Sequence, residues 1–266
     1  MHPIERLRYV ARASGAPQSV LVEETAAALA SFVDDPQALV TACRRVVARQ
    51  PASGPLLWLA ARVLTAGDPR SEVWEASGRI HSDATSCMLA GHLPDDATVT
   101  VLGWPEEIGA ALARRGDLRV LVIDVLGEGN GLVSRLVQSD VDACEVPNSG
   151  LGCAVVASDL VLLETNAAGP SEFLAVAGSR AAAAVARHAR VPVWLVAGEG
   201  RLLPEPMWTA VRERVAPEAP WLGEQEVVPL ELVDQVIGPV GAESVAEAFA
   251  RCDCPVVPEL FKGGVF

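Results

Sequence analysis

The stretch that decides the fold runs from Arg119 to Gly131 and reads RVLVIDVLGEGNG. Its first half is aliphatic and β-branched, which predicts a strand buried on both faces. The strand pattern ends at Asp124, and a turn with three glycines follows before a helical pattern starts at Leu132. A buried strand that passes through a glycine-rich turn into a helix is typical of parallel α/β sheets.

The same alternation continues on both sides of this stretch. Four further apolar runs predict strands at Thr98–Leu102, Val141–Val146, Leu160–Glu164 and Val191–Ala197. Three segments between them predict helices at Ile108–Arg115, Leu132–Val137 and Ser179–Arg190. We therefore expect an α/β fold, with a Rossmann-like, mostly parallel sheet that carries helices on both faces.

The first third of the chain carries helical patterns only. Apolar residues in Val22–Val33 repeat at helical spacing, and Asp35-Pro36 provides an N-cap followed by proline in the first turn. One further helix is expected over Ser71–Ala90. We predict a helical N-terminal domain over residues 1–94 and a Rossmann-like α/β domain over residues 95–266.

The charge balance argues against a nucleic-acid partner. Acidic residues number 34 and basic residues 21, which gives a formal net charge of −13. Nucleic-acid binding needs clustered Lys and Arg to neutralise phosphates, so we expect no direct contact with RNA or DNA. Lys262 is the single lysine. A bound phosphate would therefore depend on Arg, backbone N–H groups or helix N-termini.

The cysteines and the start of the chain favour a cytoplasmic protein. No apolar core follows the opening residues Met1–Arg6, so we expect no signal peptide. No run approaches the roughly 18 apolar residues that a membrane span needs, so we expect no membrane partner. The six cysteines should then be free thiols. The Cys252-Asp253-Cys254 pair lacks a second pair at zinc-site spacing, and we expect neither a metal nor a cofactor.

Ligands of parallel sheets bind at the carboxyl ends of the strands, and four loops there hold candidate binding residues. These residues are Gly103, Trp104, Gly127, Glu128, Gly129, Asn166, Gly178 and Ser179. The glycine-rich turn is either a cradle of N–H groups for a phosphate, in which Glu128 would be repulsive, or a tight structural turn. Ser179 either opens an anion site with Arg180 or only caps its helix.

Residues from about 97 to 240 resemble the family that joins the alpha, beta and delta subunits of eukaryotic initiation factor 2B with methylthioribose-1-phosphate isomerase and ribose-1,5-bisphosphate isomerase. Four segments carry the resemblance by their order and spacing: Leu118–Gly129, Asp159–Ala167, Gly178–Ala197 and Pro229–Asp234. The helical first third also suits this family. The resemblance implies a Rossmann-like fold and a homodimer.

Four departures from the family pattern fall in one expected pocket. The cysteine that the isomerases carry after the first strand falls near Gly103-Trp104, and their aspartate falls on Asn166. Their phosphate-binding arginine falls around Leu126, and their Asn-Lys pair around Ala175-Val176. Because proton transfer needs titratable groups at these positions, we predict an initiation-factor-2B-like protein without isomerase activity. It would bind a small phosphorylated ligand or a protein partner as a regulatory homo-oligomer.

Two rival functions stay open, and so does the question of whether the chain is an enzyme. The first is a diverged enzyme that processes a sugar phosphate or a nucleotide with Asp124, Glu128 or Glu164, provided that burial raises the pKa of such a carboxyl group. The second is a purely structural interaction module.

Overall fold

The computed structural model describes Glu5, Arg6, Val10 and residues 17–262. Most of the opening segment, on which the signal-peptide prediction depends, lies outside the described residues, as do residues 263–266. Within the described part of the chain, no helix is long and apolar enough to cross a membrane.

Helices come first, as the sequence predicts, and five of them lie within residues 17–92. They are α1 (Gln18–Leu29), α2 (Pro36–Arg49), α3 (Gly54–Thr65), α4 (Pro69–His81) and α5 (Thr85–His92). The start of α2 follows the expected local chemistry, because the Asp35 carboxylate accepts hydrogen bonds from the N–H groups of Gln37 and Ala38, both at 3.0 Å. Ser53 caps α3 and Asp68 caps α4 in the same way.

The single helix expected over Ser71–Ala90 is wrong, because the chain breaks between α4 and α5. Asp83 causes the break. Its Oδ1 accepts hydrogen bonds from the Thr85 N–H at 2.8 Å and from the Thr85 hydroxyl at 2.6 Å. A side chain that bonds the local backbone in this way competes with helix propagation and starts a new helix instead.

Within residues 93–262, ten strands and six more α-helices follow. The strands are β1 (Thr98–Leu102), β2 (Arg119–Asp124), β3 (Asp142–Pro147), β4 (Leu160–Glu164), β5 (Ala167–Ala168), β6 (Glu172–Val176), β7 (Val193–Val196), β8 (Gln225–Pro229), β9 (Gln235–Gly238) and β10 (Gly241–Glu243). The helices are α6 (Glu106–Leu112), α7 (Gly129–Val137), α8 (Leu151–Val156), α9 (Ser179–Ala189), α10 (Glu205–Val215) and α11 (Val245–Ala250).

Seven strands form one sheet in the order β10-β9-β7-β4-β1-β2-β3, in which only β10 is antiparallel to its neighbour. Side chains alternate between its two faces, so that Val120 and Val122 of β2 pack under α6 and α7, while Leu121 and Ile123 pack under α8 and α9. The prediction of a mostly parallel sheet with helices on both faces is confirmed.

A second sheet, with the order β5-β6-β8, joins the two parts of the chain. One of its faces, with Ala167 and Leu174, belongs to the apolar cluster of helices α1 to α4. Its other face, with Phe173 and Val228, belongs to a cluster of the large sheet. This sheet, strands β9 and β10, and helices α8, α10 and α11 have no counterpart in the sequence prediction. The division at residue 94 stays a proposal.

Candidate functional site

The candidate site lies where the order of the parallel sheet reverses. Strand β1 lies between β2 and β4, and the chain leaves β1 and β4 toward opposite faces of the sheet. In doubly wound sheets, ligands bind in the crevice at the carboxyl ends of these two strands. The loops after Leu102 and Glu164 therefore form the two sides of the crevice.

Glu164, at the end of β4, binds the N-terminus of α6. Its Oε2 accepts hydrogen bonds from the N–H groups of Glu107 at 2.9 Å and Ile108 at 3.0 Å. Its Oε1 accepts another from the Glu106 N–H at 3.2 Å. A helix N-terminus is a ready anion site, and here a carboxylate of the chain occupies it.

The same carboxylate forms a buried ion pair. Arg201 Nη1 lies 2.9 Å from Glu164 Oε1, and the two side chains are only 3% and 9% exposed. Arg201 also donates a hydrogen bond to the carbonyl oxygen of Thr165 at 2.7 Å. Burial alone would lower the pKa of Arg201, but the carboxylates of Glu164 and Glu107 outweigh burial and raise it.

Glu107 is a partly buried carboxyl group in the first turn of α6. Burial raises the pKa of Glu107 to about 7, and the negative charges of Asp83 and Glu164 add to this effect, while Arg201 opposes it. Asp83 lies near Arg201, since a Cβ at Gly198 would lie 2.5 Å from Asp83 Oδ2 and 3.4 Å from Arg201 Nε. A group with such a pKa can hold or release a proton near pH 7.

Two further helices begin on carboxylates of the chain. Glu106 Oε2 accepts a hydrogen bond from the Gln18 N–H at the start of α1, at 2.9 Å. Asp124 Oδ1 accepts one from the Gly129 N–H at the start of α7, at 3.1 Å. The Gly129 N–H, which a phosphate cradle would use, is therefore already bound.

The start of α9 is occupied in the same way. Glu226 Oε1 accepts a hydrogen bond from the Arg180 N–H at 2.9 Å. Ser179 is buried, and its hydroxyl lacks a partner among the described residues. The hydroxyl makes no capping bond, so the helix start depends on Glu226 for its anionic group.

The structure brings Gly103 and Gly178 together around one apolar side chain. Both glycines have positive φ angles, +64° and +94°. A Cβ at Gly103 would lie 3.5 Å from Val125 Cγ2, and a Cβ at Gly178 would lie 3.5 Å from Val125 Cγ1. Val125 thus lies between the two loops that the sequence proposes for a ligand.

The other predicted residues lie at the rim of the crevice or outside it. Trp104 is 44% exposed, and its ring covers Gly131 of α7 so closely that a Cβ there would overlap with it. Gly127 and Glu128 are exposed on the turn, and the φ of Gly127 is +77°. This conformation favours glycine and agrees with the structural-turn alternative.

Asn166 makes its contacts with the helical part of the chain. Its backbone carbonyl oxygen accepts a hydrogen bond from the Gly54 N–H at 2.9 Å, and a Cβ at Gly54 would lie 2.7 Å from that oxygen. The Asn166 N–H donates to the Leu174 carbonyl oxygen at 3.1 Å. The residue therefore anchors α3 against the end of β4.

Sequence reasoning missed the residues that dominate this crevice, namely Asp83, Glu106, Glu107, Arg201 and Glu226. Only Glu106 and Glu107 carried a signal, because acidic residues after a proline mark a first helical turn. The partners of Arg201 come from distant segments. Within the described residues, no three His, Cys, Asp or Glu side chains are grouped to hold a metal ion.

No family model matches this chain, and no curated protein matches it with significance. Solved structures do match it. Translation initiation factor eIF-2B from Pyrococcus horikoshii OT3 superimposes with a TM-score of 0.78 at 14% identity, over 93% of this chain and 98% of that one. The eIF2B beta subunit from Chaetomium thermophilum superimposes with a TM-score of 0.74 at 16% identity, over 97% of this chain and 92% of that one.

A tetrameric eIF2B-beta2-delta2 complex from C. thermophilum matches with a TM-score of 0.72 at 17% identity, over 93% of each chain. The expected resemblance to initiation factor 2B subunits is confirmed for the fold. Identities this low establish the shared fold alone.

Proposed function

We propose that this chain is an initiation-factor-2B-like protein that lacks isomerase activity and acts as a regulatory homo-oligomer. One observation carries the proposal. At four helix starts, α1, α6, α7 and α9, a carboxylate of the chain accepts the hydrogen bond that a phosphate would take. A phosphorylated substrate would have to displace these carboxylates or lie against their negative charge.

The residues at the expected proton-transfer positions support the same proposal. Gly103 and Asn166 have no group that titrates near neutral pH, and Trp104 lies against α7. Val125 fills the space between the loops of Gly103 and Gly178 with methyl groups. This apolar wall offers no hydrogen bond to a sugar hydroxyl.

An exposed apolar rim supports assembly. The turn with Trp221 and Leu222 leaves these side chains 82% and 78% exposed, and Trp104 and Leu126 are 44% and 43% exposed. The turn lies near the start of α9, since the Ala177 N–H donates to the Glu224 carbonyl oxygen at 2.9 Å. Large exposed apolar groups mark interaction sites. One of the similar structures is a tetramer, and we propose a second copy of this chain as the occupant of the rim.

Size-exclusion chromatography with light scattering tests the proposal. We expect a mass of twice the 27.9 kDa chain at micromolar concentration, unchanged by ribose phosphates. A stable single-chain mass would refute the homo-oligomer. We also propose a cytoplasmic location, which the free thiols of the cysteines suit.

A diverged sugar-phosphate or nucleotide-processing enzyme is the second candidate, and Glu107 is the observation that favours it. The pKa of this partly buried carboxyl group, about 7, would let it act as a general acid or base. Of the three carboxylates first considered for this role, Asp124 and Glu164 are engaged in helix starts, and Glu128 is exposed on the turn. Turnover of a sugar phosphate or nucleotide that Glu107→Gln abolishes would establish this alternative.

A further inference from the structure

We propose that a second site, at the carboxyl ends of β7 and β9, binds a small zwitterion of the α-amino acid class. A polar cavity of about 60 Å³ opens there, beside Gly198 after β7 and Gly238 at the end of β9. It lies further along the sheet than the crevice between β1 and β4, and it does not depend on the function proposed above. The charged side chains around it are Arg79, Glu199, Arg251 and Asp253.

Arg251 supplies the positive side of the cavity. Its Nε and Nη2 atoms donate to the carboxylate of Glu243, and Nη2 lies over Gly238, 3.9 Å from the position of a Cβ there. Its Nη1 has no partner within residues 17–262, so the side chain keeps donor capacity at the cavity wall. A guanidinium with an open edge is suited to a carboxylate.

Glu199 supplies the negative side. Its Oε1 accepts a hydrogen bond from Arg79, while Oε2 accepts none from the described part of the chain. The side chain is only 15% exposed. Burial raises the pKa of Glu199, although Arg79 opposes this, so a nearby cation would stabilise the ionised form. Glu199 and Arg251 line the same cavity.

The other two charged residues form ion pairs with each other and with further side chains of the chain. Asp253 Oδ1 accepts from Trp58 Nε1 at 2.8 Å, and its Oδ2 accepts from Arg62 at 2.8 Å and Arg79 at 2.7 Å. Both Nη atoms of Arg79 donate to carboxylates. We therefore assign the ligand contacts to Arg251 Nη1 and Glu199 Oε2, because Asp253 and both Nη atoms of Arg79 already form ion pairs within the chain.

This pairing selects the ligand class. Inorganic phosphate would meet the Glu199 carboxylate, and a simple amine would meet the Arg251 guanidinium. An α-amino acid presents a carboxylate to Arg251 and an ammonium group to Glu199. A volume of about 60 Å³ suits this head group, with the amino acid side chain directed to the open end.

Thermal unfolding with each of the twenty amino acids, inorganic phosphate or ribose 5-phosphate tests the site. At about 10 mM ligand and pH 7, we expect at least one amino acid to raise Tm by about 3 °C or more. Phosphate and ribose 5-phosphate should leave Tm unchanged. If no amino acid raises Tm, or if phosphate raises it as much, the proposal is overturned.

Variants locate the binding, measured by calorimetric titration of the amino acid that raises Tm most. Arg251→Gln and Glu199→Gln should each weaken it about tenfold or more, because each removes a charge-assisted hydrogen bond. The matched controls are Arg212→Gln and Glu172→Gln, from a partly exposed ion pair at 3.1 Å that does not line the cavity. If Arg251→Gln does not fold, Arg251→Lys, which keeps the charge, is titrated in its place. Equal weakening by the controls, or full affinity in Glu199→Gln, would contradict the assignment.

Discussion

The guanidinium of Arg201 lies 2.9 Å from the carboxylate of Glu164, and both side chains are almost fully buried where β4 ends. Glu164 also accepts three N–H groups at the start of α6. The arginine that faces the crevice is thus neutralised by the chain itself, and so is the positive end of the nearest helix. This relationship makes the crevice a structural junction.

Arg201→Met should lower the free energy of unfolding by about 3–5 kcal/mol, because it leaves the Glu164 carboxylate buried without its ion-pair partner. Urea denaturation of the purified variant measures this value. The control Arg212→Gln removes a partly exposed pair and should change stability by about 0–1 kcal/mol. Equal effects of the two variants would contradict the buried-pair interpretation.

Stability should depend on pH through Glu107. Burial raises its pKa from 4.5 to about 7, so the folded state binds more protons than the unfolded chain between these values. The free energy of unfolding should therefore fall as the pH rises through this window, by at most about 3 kcal/mol.

Glu107→Gln should remove this contribution. Relative to wild type, the variant should gain stability steadily between pH 5 and pH 8, as measured by urea midpoints at each pH. A difference between the two proteins that stays constant over this range would show that Glu107 titrates as in the unfolded chain.

Gly169→Ala should destabilise the protein by about 1–3 kcal/mol, because the added Cβ overlaps with the fully buried ring of Trp208. The matched control is Gly78→Ala on the exposed side of α4, where a Cβ meets nothing within 4 Å. It should stabilise by about 0.5–1 kcal/mol through helix propensity. Thermal unfolding should show a lower Tm for Gly169→Ala and a higher Tm for Gly78→Ala. An unchanged Tm in Gly169→Ala would contradict the close packing of α10.

The Trp221→Ser, Leu222→Ser double variant should raise the dissociation constant of the homo-oligomer at least about 30-fold, because a buried interface tryptophan contributes about 2 kcal/mol or more. Light scattering over a dilution series measures this shift. Trp74→Ser, on α4, removes another tryptophan that is 53% exposed and should leave the mass unchanged. Loss of assembly in Trp74→Ser alone would place the interface elsewhere.

The sequence predicts five of the seven strands of the large sheet because each of those five is a local signal, and it misses β9 and β10. Leu160–Leu163 and Val120–Ile123 are continuous apolar runs, and the ends of the two strands that contain them are predicted to within two residues. The small sheet was missed because β5 has two residues and β8 begins with Gln225 and Glu226. Such strands exist through pairing with distant segments, which no local pattern reports.

The candidate site was harder to predict for a related reason. The glycines of the site could be predicted from their position after strands. The side chains that contact these glycines in the fold could not be predicted. Val125 between Gly103 and Gly178, and Glu226 on the start of α9, are tertiary contacts across many residues of sequence. Asp83 was missed together with the helix break that it causes.

The central claim is that carboxylates of the chain hold the helix starts where a phosphorylated substrate would bind. Calorimetric titration of the wild-type protein with ribose 1,5-bisphosphate, followed by product analysis of the same sample, tests it most directly. We expect no saturable heat and unchanged sugar phosphate. Saturable binding, with or without conversion to a ketose, would contradict the claim.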